Sequence, residues 1–420
     1  MTANPNDIKQ HDSSLWSFGI LTLLCCLGVI GISFFHQKDQ RERTSGQTRI
    51  GLRHIPPELI GYQQTAIFAT PVPGKPTSFA LLNESTFVVG STDPPMLSLF
   101  DETGTLLRTI DLPEEPRAIV CGTPETIFSG KIVVAHPTRI AVYSADGRME
   151  HSWKKQPIWR SKDEPSMYRM LRFSGNEKIF PDHVTHVELR GTGASGIWWV
   201  DPEVNIRSLV LTQNSLFAAD TGKRRIYRLD THGELNLTFA FGRDQTVEDF
   251  FSQMEGALWL TGGFPGFIVY AAPITMTFSQ KSGLLYIANP GRHRVEVFTQ
   301  DGIYQPELSW GEPSGRLEGF AACCNPIGLA VLDDGRILTV EKGVSRIKIY
   351  RTDGTLDTVV AGADILDHSP SGLTQRTPLE PGGRYFSAVL LSDGRIAVFD
   401  FEGFIRIFVP LESRDHEMIY

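Results

Sequence analysis

The sequence is poor in cysteine for its size: five in 420 residues, arranged as the adjacent pairs Cys25-Cys26 and Cys323-Cys324 and a lone Cys121. That pattern excludes a disulfide-stapled scaffold, which a chain long enough to bury its own core does not need. No Cys-x-x-Cys partner exists for either pair, which disfavours a structural zinc site. Basic excess is missing too. The 40 Lys and Arg against 48 Asp and Glu leave a net charge of −8, the wrong sign for a surface that binds nucleic-acid phosphates. Sustained 3.6-residue periodicity is scarce outside one apolar run, so long soluble helices are not expected. Signatures of catalysis are lacking as well. Gly193 sits in GTGASG, an echo of a phosphate loop without the Gly-x-x-x-x-Gly-Lys frame. Ser195 in the same stretch has neither a nucleophile elbow nor a paired base.

Hydrophobic content of 41% and charged content of 21% are those of a globular protein, and 39 Gly with 26 Pro suit short strands joined by tight turns. The apolar run is Leu15 to Phe35, LWSFGILTLLCCLGVIGISFF, with no charge in it. At about 1.5 Å per residue it spans roughly 31 Å, the thickness of a bilayer core. Trp16 and Phe34-Phe35 suit the two interfaces. A long, non-basic leader and no small-x-small site after Phe35 argue for an uncleaved anchor over a signal peptide. The expected layout is a polar tail 1–14, a transmembrane helix 15–35, a linker 36–60, a repeat domain 61–410 and a tail 411–420. Lys38, Arg41, Arg43, Arg49 and Arg53 follow the span, a bias toward a cytoplasmic C-terminal domain that Asp39 and Glu42 dilute.

Internal repeats set the fold class. SLVLTQNSLFAADTGKRRIYRLDTHG (208–233), TMTFSQKSGLLYIANPGRHRVEVFTQDG (275–302), GLAVLDDGRILTVEKGVSRIKIYRTDG (328–354) and SAVLLSDGRIAVFDFEGFIRIFV (387–409) share one plan. Each is an apolar strand, a turn, a second strand, a Gly-centred turn, Arg with an aliphatic residue, and a third strand. Weaker copies lie at 131–147 and 79–104. The Arg–aliphatic pairs Arg139-Ile140, Arg225-Ile226, Arg294-Val295, Arg346-Ile347 and Arg406-Ile407 mark the register, unevenly spaced because insertions intervene at 154–205 and 243–272. Asp-Gly turns and period-two apolar patterning are hairpin signals. Repeated antiparallel units of this kind close radially, which leaves few exposed sheet edges. The expected fold is therefore all-β, a six-bladed β-propeller behind one N-terminal transmembrane helix. Residues 61–71, GYQQTAIFATP, are expected to add the outer strand of the last blade and tie the ring shut.

The stretches ADTGKRRIYRLDTHG, IANPGRHRVEVFTQDG and VEKGVSRIKIYRTDG resemble the NHL repeat, over roughly residues 76–410. Within that resemblance, Cys323-Cys324-Asn325-Pro326 lies ahead of an inner strand, at the mouth of the central channel. Peptide-amidating lyases of the family are similar in placing a metal-binding His near this point. Here cysteines stand in that place, and no matching His set precedes the other blades, so the lyase activity is not implied. Ala-Cys-Cys-Asn-Pro followed by Glu341-Lys342-Gly343 also resembles a signature of bacterial exported NHL-repeat proteins, which implies an extracytoplasmic propeller.

The candidate binding residues are accordingly Cys323, Cys324, Asn325, Glu341 and Lys342. Three readings of the cysteine pair stand side by side: a vicinal disulfide, a reactive dithiol or soft-metal site, and two silent residues in a tight turn. His183 and His186, in PDHVTHVEL, are weaker metal candidates. They would share a face on a helix, but a strand puts them on opposite faces. His136, His232 and His293 read as solvated turn residues, and Trp198-Trp199 as core. Arg225, Arg294, Arg346 and Arg406 read as structural, bridging blades or bonding turn carbonyls. No cofactor is predicted beyond a soft metal ion at Cys323 and Cys324. The function expected is a membrane-anchored, non-catalytic binding or assembly scaffold with a protein partner, no nucleic acid, and the bilayer held through 15–35. The alternative is a metal- or thiol-dependent enzyme, or an electron-transfer accessory, with its site around Cys323-Cys324.

Overall fold

The computed structural model describes residues 54–154, 168–172, 184–189, 195–200, 204–221, 225–239, 273–321, 324–368 and 386–411. The chain divides into Met1–His54 and Ile55–Tyr420, and every strand among the described residues lies in the second unit. The span expected at 15–35 falls outside the described residues, among which no helix is long and apolar enough to cross a membrane.

Strand β1 (Tyr62–Ala69) stands ahead of the repeats. Blade 1 is β2 (Lys75–Asn83), β3 (Thr86–Thr92), β4 (Met96–Phe100) and β5 (Leu106–Asp111). Blade 2 is β6 (Ala118–Cys121), β7 (Lys131–Ala135), β8 (Arg139–Ser144) and β9 (Met149–Lys154). The insertion at 154–205 folds β10 (Tyr168–Arg172), β11 (Val184–Leu189) and β12 (Ser195–Val200) into a separate sheet with β12 in the middle. Blade 3 is β13 (Ile206–Leu211), β14 (Leu216–Asp220), β15 (Arg225–Leu229) and β16 (Leu235–Phe239). Blade 4 is β17 (Thr275–Ser279), β18 (Leu284–Asn289) and β19 (Arg294–Thr299), edged by bridges from β19 to Tyr304 and Trp310. Blade 5 is β20 (Gly328–Val331), β21 (Ile337–Glu341), β22 (Arg346–Tyr350) and β23 (Leu356–Ala361). Blade 6 is β24 (Phe386–Leu390), β25 (Ile396–Asp400) and β26 (Phe404–Pro410), completed by β1.

The innermost strands touch in the order β2, β6, β13, β17, β20, β24, and β24 returns to β2, so six blades close a ring. Because β6 meets β13 directly, the inserted sheet does not interrupt that ring. The strand expected near 61–71 pairs antiparallel with β26, Tyr62 opposite Pro410 through Ala69 opposite Phe404. A residue from one end of the domain thus hydrogen-bonds with the other end in the same sheet.

The core is six wedges, one between each pair of neighbouring blades. That arrangement corrects the period-two expectation for the second strand of each blade. β7, β14, β21 and β25 are buried on both faces, because each blade is covered on either side. Continuous apolar runs such as ILTVE and IAVFD are the result. Exposure appears at the rim instead, where β5 and β9 are mostly open to solvent.

Turns between the third and fourth strands seat neighbouring blades. The Asp230 carboxylate accepts the N–H groups of His232 and Glu234 at 2.8 and 2.9 Å, which fixes the turn. Gly233 follows at φ +76, and a Cβ there would overlap the Trp153 ring of the preceding blade. Gly354 meets Trp310 in the same way, two blade pairs further on.

Candidate functional site

A cavity of about 1060 Å³ runs along the ring axis, walled by all six innermost strands. One mouth is formed where those strands begin and where the turns after the second strands reach the axis. Each first strand pairs with its second strand at an equivalent point: Ser78 with Gly90, Ala118 with Ala135, Ser208 with Ala219, Thr275 with Ala288, Gly328 with Val340, Ser387 with Phe399. The first members of these pairs are all small, and they form one tier around the channel. Directly above that tier stand Thr77, Arg117, Arg207, Ile274, Ile327 and Phe386. The mouth is therefore polar and cationic over blades 1 to 3, whereas Ile274, Ile327 and Phe386 are buried in the wedges between blades.

Arg207 occupies a β-bulge: the ladder between β13 and β14 slips between Ile206 and Ser208. A bulge leaves one residue unpaired and re-aims its side chain. Thr77 sits at the matching slip in β2. Its hydroxyl donates to the Pro116 carbonyl at 2.6 Å, tying blade 1 to the segment that carries Arg117. Arg117 is oriented by Glu115, with Nε 2.8 Å from the carboxylate, and by Asn205, whose Oδ1 accepts from Nη1 at 3.2 Å. Asn205 in turn donates its backbone N–H to Asp220 at 2.8 Å. Burial, with the like charge of Arg117 beside it, pushes the Arg207 guanidinium below the usual arginine range, although it remains a cation at neutral pH.

His136 supports this segment from beneath, contrary to the expectation of a solvated turn residue. It is fully buried; Nδ1 lies 3.0 and 3.2 Å from the carbonyls of Glu114 and Glu115, and Nε2 lies 3.1 Å from the Tyr143 hydroxyl. Burial pushes its pKa down, so the neutral ring donates from Nδ1 and accepts from Tyr143. His293 also departs from that expectation: it is half-buried and bonds the Phe320 carbonyl through Nδ1 at 3.1 Å. His232 is exposed.

Cys324, Asn325, Glu341 and Lys342 take a different place from the channel wall. Cys323 lies outside the described residues. Cys324 is buried at φ +67 within the apolar wedge between blades 5 and 6. Asn325 is fully buried; its Nδ2 donates to the carbonyls of Ala321 at 2.6 Å and Lys342 at 2.8 Å, and its Oδ1 accepts the Lys342 N–H at 2.8 Å. Glu341 pairs with Arg346 at 2.9 Å and Lys348 at 2.7 Å, all three side chains being buried. Lys348 further donates to the carbonyls of Leu317 and Gly319, and its ammonium lies over the rings of Phe320 and Tyr350. Together these bonds clamp the 314–320 loop onto blade 5.

Polar pairs recur at this level of other blades: His136 with Tyr143, Asp220 with Tyr227, Asn289 with Glu296. The repeat arginines also bond within the ring. Arg294 donates to Ser309 O at 3.3 Å, and Arg406 donates to His368 O at 2.5 Å and to Gln64 on β1 at 3.1 Å. Arg225 opens β15 opposite Asp220. His186 lies on β11, opposite Trp199, and His183 falls outside the described residues. Among the described residues no group of three His, Cys, Asp or Glu side chains is placed to hold a metal ion.

Arg117, Arg207, Lys75 and Thr77 are site residues that reading the repeats did not single out. Their only sequence signal is position: Thr77, Arg117 and Arg207 each stand one residue ahead of the small tier, visible once the strands are in register.

No family model and no curated protein matches the chain. Among solved structures it is similar to a protein of unknown function from Bacteroides thetaiotaomicron, at 12% identity and TM-score 0.45, over 83% of this chain and 72% of that one. It is also similar to a streptogramin B lyase, at 12% identity and TM-score 0.45, over 84% of this chain and 98% of that one. A third likeness is to the WD40 β-propeller domain of Doa1, at 10% identity and TM-score 0.42, over 84% and 99% of the two chains.

Proposed function

We propose that the protein is a membrane-anchored, NHL-like propeller that works as a non-catalytic binding scaffold on the outer side of a cell membrane. The observation that carries this reading is the closed ring with its open axial mouth: rigid strands hold a set of side chains at fixed positions around a channel. Recognition residues are favoured on such scaffolds because the loops and strand ends are held in place while their side chains vary freely. The apolar run at 15–35 supports the anchor. A protein partner would meet the mouth side, where the turns after the second strands emerge.

The test is photocrosslinking in intact membranes, from Glu402 in the β25–β26 turn on the mouth side and from Glu84 in the β2–β3 turn on the opposite side. Both positions are exposed. The expected result is a discrete adduct from position 402 and none from position 84. Equal labelling from both sides, or no adduct at all, would sink the reading.

A further inference from the structure

The channel mouth carries the opposite charge to the molecule around it. The chain has a net charge of −8, yet among the described residues the charged side chains on the channel wall are Lys75, Arg117 and Arg207 against the single carboxylate of Glu115. Glu115 is already engaged by Arg117. Arg207 has no hydrogen-bond or ion-pair partner among the described residues, although it stands beside another arginine and carboxylates are plentiful on the chain. Arg207 is exposed at the mouth, and the one carboxylate that attracts it, Glu115, is the one already bonded to Arg117, so two repelling guanidinium groups share a single negative charge. Arg207 is held there by a bulge, which leaves it unpaired in the ladder as the matching bulge leaves Thr77 in blade 1.

The donors are arranged ahead of any ligand. Asn205 and Glu115 fix the Arg117 fork from two sides, and His136 fixes the carbonyls of the segment that carries Glu115. Thr275 of blade 4 belongs to the same channel wall, and its buried hydroxyl has no hydrogen-bond partner among the described residues. Beneath lies the tier of Ser78, Ala118, Ser208, Thr275, Gly328 and Ser387, whose small side chains leave room. A volume of about 1060 Å³ is that of a small-molecule site.

We propose that this mouth is an oxyanion site, in which Arg207 and Arg117 together bind a carboxylate or phosphate group of a small soluble molecule while its uncharged part occupies the small-residue tier and the channel below. A guanidinium pair with a planar, multi-donor fork suits these groups better than a halide. The proposal goes beyond recognition of a protein partner, and the crosslinking result from position 402 neither requires it nor decides it.

The experiment is calorimetric titration of the full-length chain in detergent with inorganic phosphate and, separately, with succinate. Saturable binding of at least one probe is expected, and the stronger probe assigns the class as phosphate or carboxylate. Arg207→Gln is expected to weaken that probe about ten- to hundredfold, the usual span for losing a charged hydrogen bond. Arg207→Lys should retain part of the affinity. Arg228→Gln, which removes a cation paired with Asp301 on blade 3, should bind as the parent protein does. Arg207→Gln should also melt no lower than the parent, since it removes a like-charge contact; that melt shows that a loss of binding is not a loss of fold. Failure of both probes to bind the parent protein, or undiminished binding to Arg207→Gln, overturns the proposal.

Discussion

Lys348 shows how one side chain can hold a loop and a blade together at an electrostatic cost. Its ammonium is fully buried, paired with Glu341 and bonded to two loop carbonyls. Burial pushes its pKa down to about 8 against the attraction of Glu341. Removing one partner of such a group leaves the other charge in a dry site, so Lys348→Met is expected to lower stability by about 3–5 kcal/mol, measured by urea unfolding. The pH dependence has a definite sign. Between about pH 8 and the ordinary lysine value of 10.5 the unfolded chain keeps the Lys348 proton and the folded chain loses it. Stability contributed by this group therefore rises with pH across that window, by at most roughly 1.4 kcal/mol per unit. The gap between parent and Lys348→Met should widen from pH 8 to pH 10, whereas other titrations, such as that of the buried Cys121 thiol, cancel in the difference. A flat or narrowing gap contradicts the assignment. At this scale the sequence was half legible. Asn325, Glu341 and Lys342 stood out as features of a single repeat, but only their bonds reveal that they brace blade 5. Arg207 stayed hidden because a bulge shifts register by one residue, and a repeat consensus has no signature for that.

Blades are the elements, and what joins them is legible in part. The Asp-Gly turns announce hairpins from sequence, yet the same glycines also receive a large side chain from the blade before. Gly233 combines a left-handed φ of +76 with close approach to Trp153. Gly233→Ala should cost about 1–2 kcal/mol for the backbone conformation, and a further 1–3 kcal/mol for the overlap with the indole. In a Trp153→Ala background the second part should vanish and the first remain, which a double-mutant cycle of denaturant midpoints measures. Full additivity would mean that the ring and the turn do not touch in solution. The repeats, the six-blade count and the closing strand are visible in the chain because each blade reuses one pattern. The sheet of β10 to β12 is not, since it matches no repeat and its strands lie between charged and Gly-rich stretches.

At the scale of the whole molecule, the proposed anchor at 15–35 raises the question of which side of a membrane the ring would face. The cations after the span, Lys38, Arg41, Arg43, Arg49 and Arg53, favour a cytoplasmic domain, and the tail before it offers only Lys9 against Asp7 and Asp12. Two considerations weigh against that bias. Long domains are translocated largely irrespective of flanking charge. The Ala-Cys-Cys-Asn-Pro signature with Glu341-Lys342-Gly343 also resembles that of exported proteins. We therefore expect alkaline phosphatase fused after Tyr420 to be active in bacterial cells and β-galactosidase at the same point to be inactive. The charge argument adds a second arm: replacing Asp7 and Asp12 by Lys raises the positive charge ahead of the span and should increase the phosphatase signal. Replacing Arg41 and Arg43 by Glu should act in the same direction, because both changes hold the N-terminal tail inside. Activity of the galactosidase fusion alone, unmoved by either pair of substitutions, would place the propeller in the cytoplasm. The oxyanion at its mouth would then be a cytoplasmic metabolite rather than one met outside the cell.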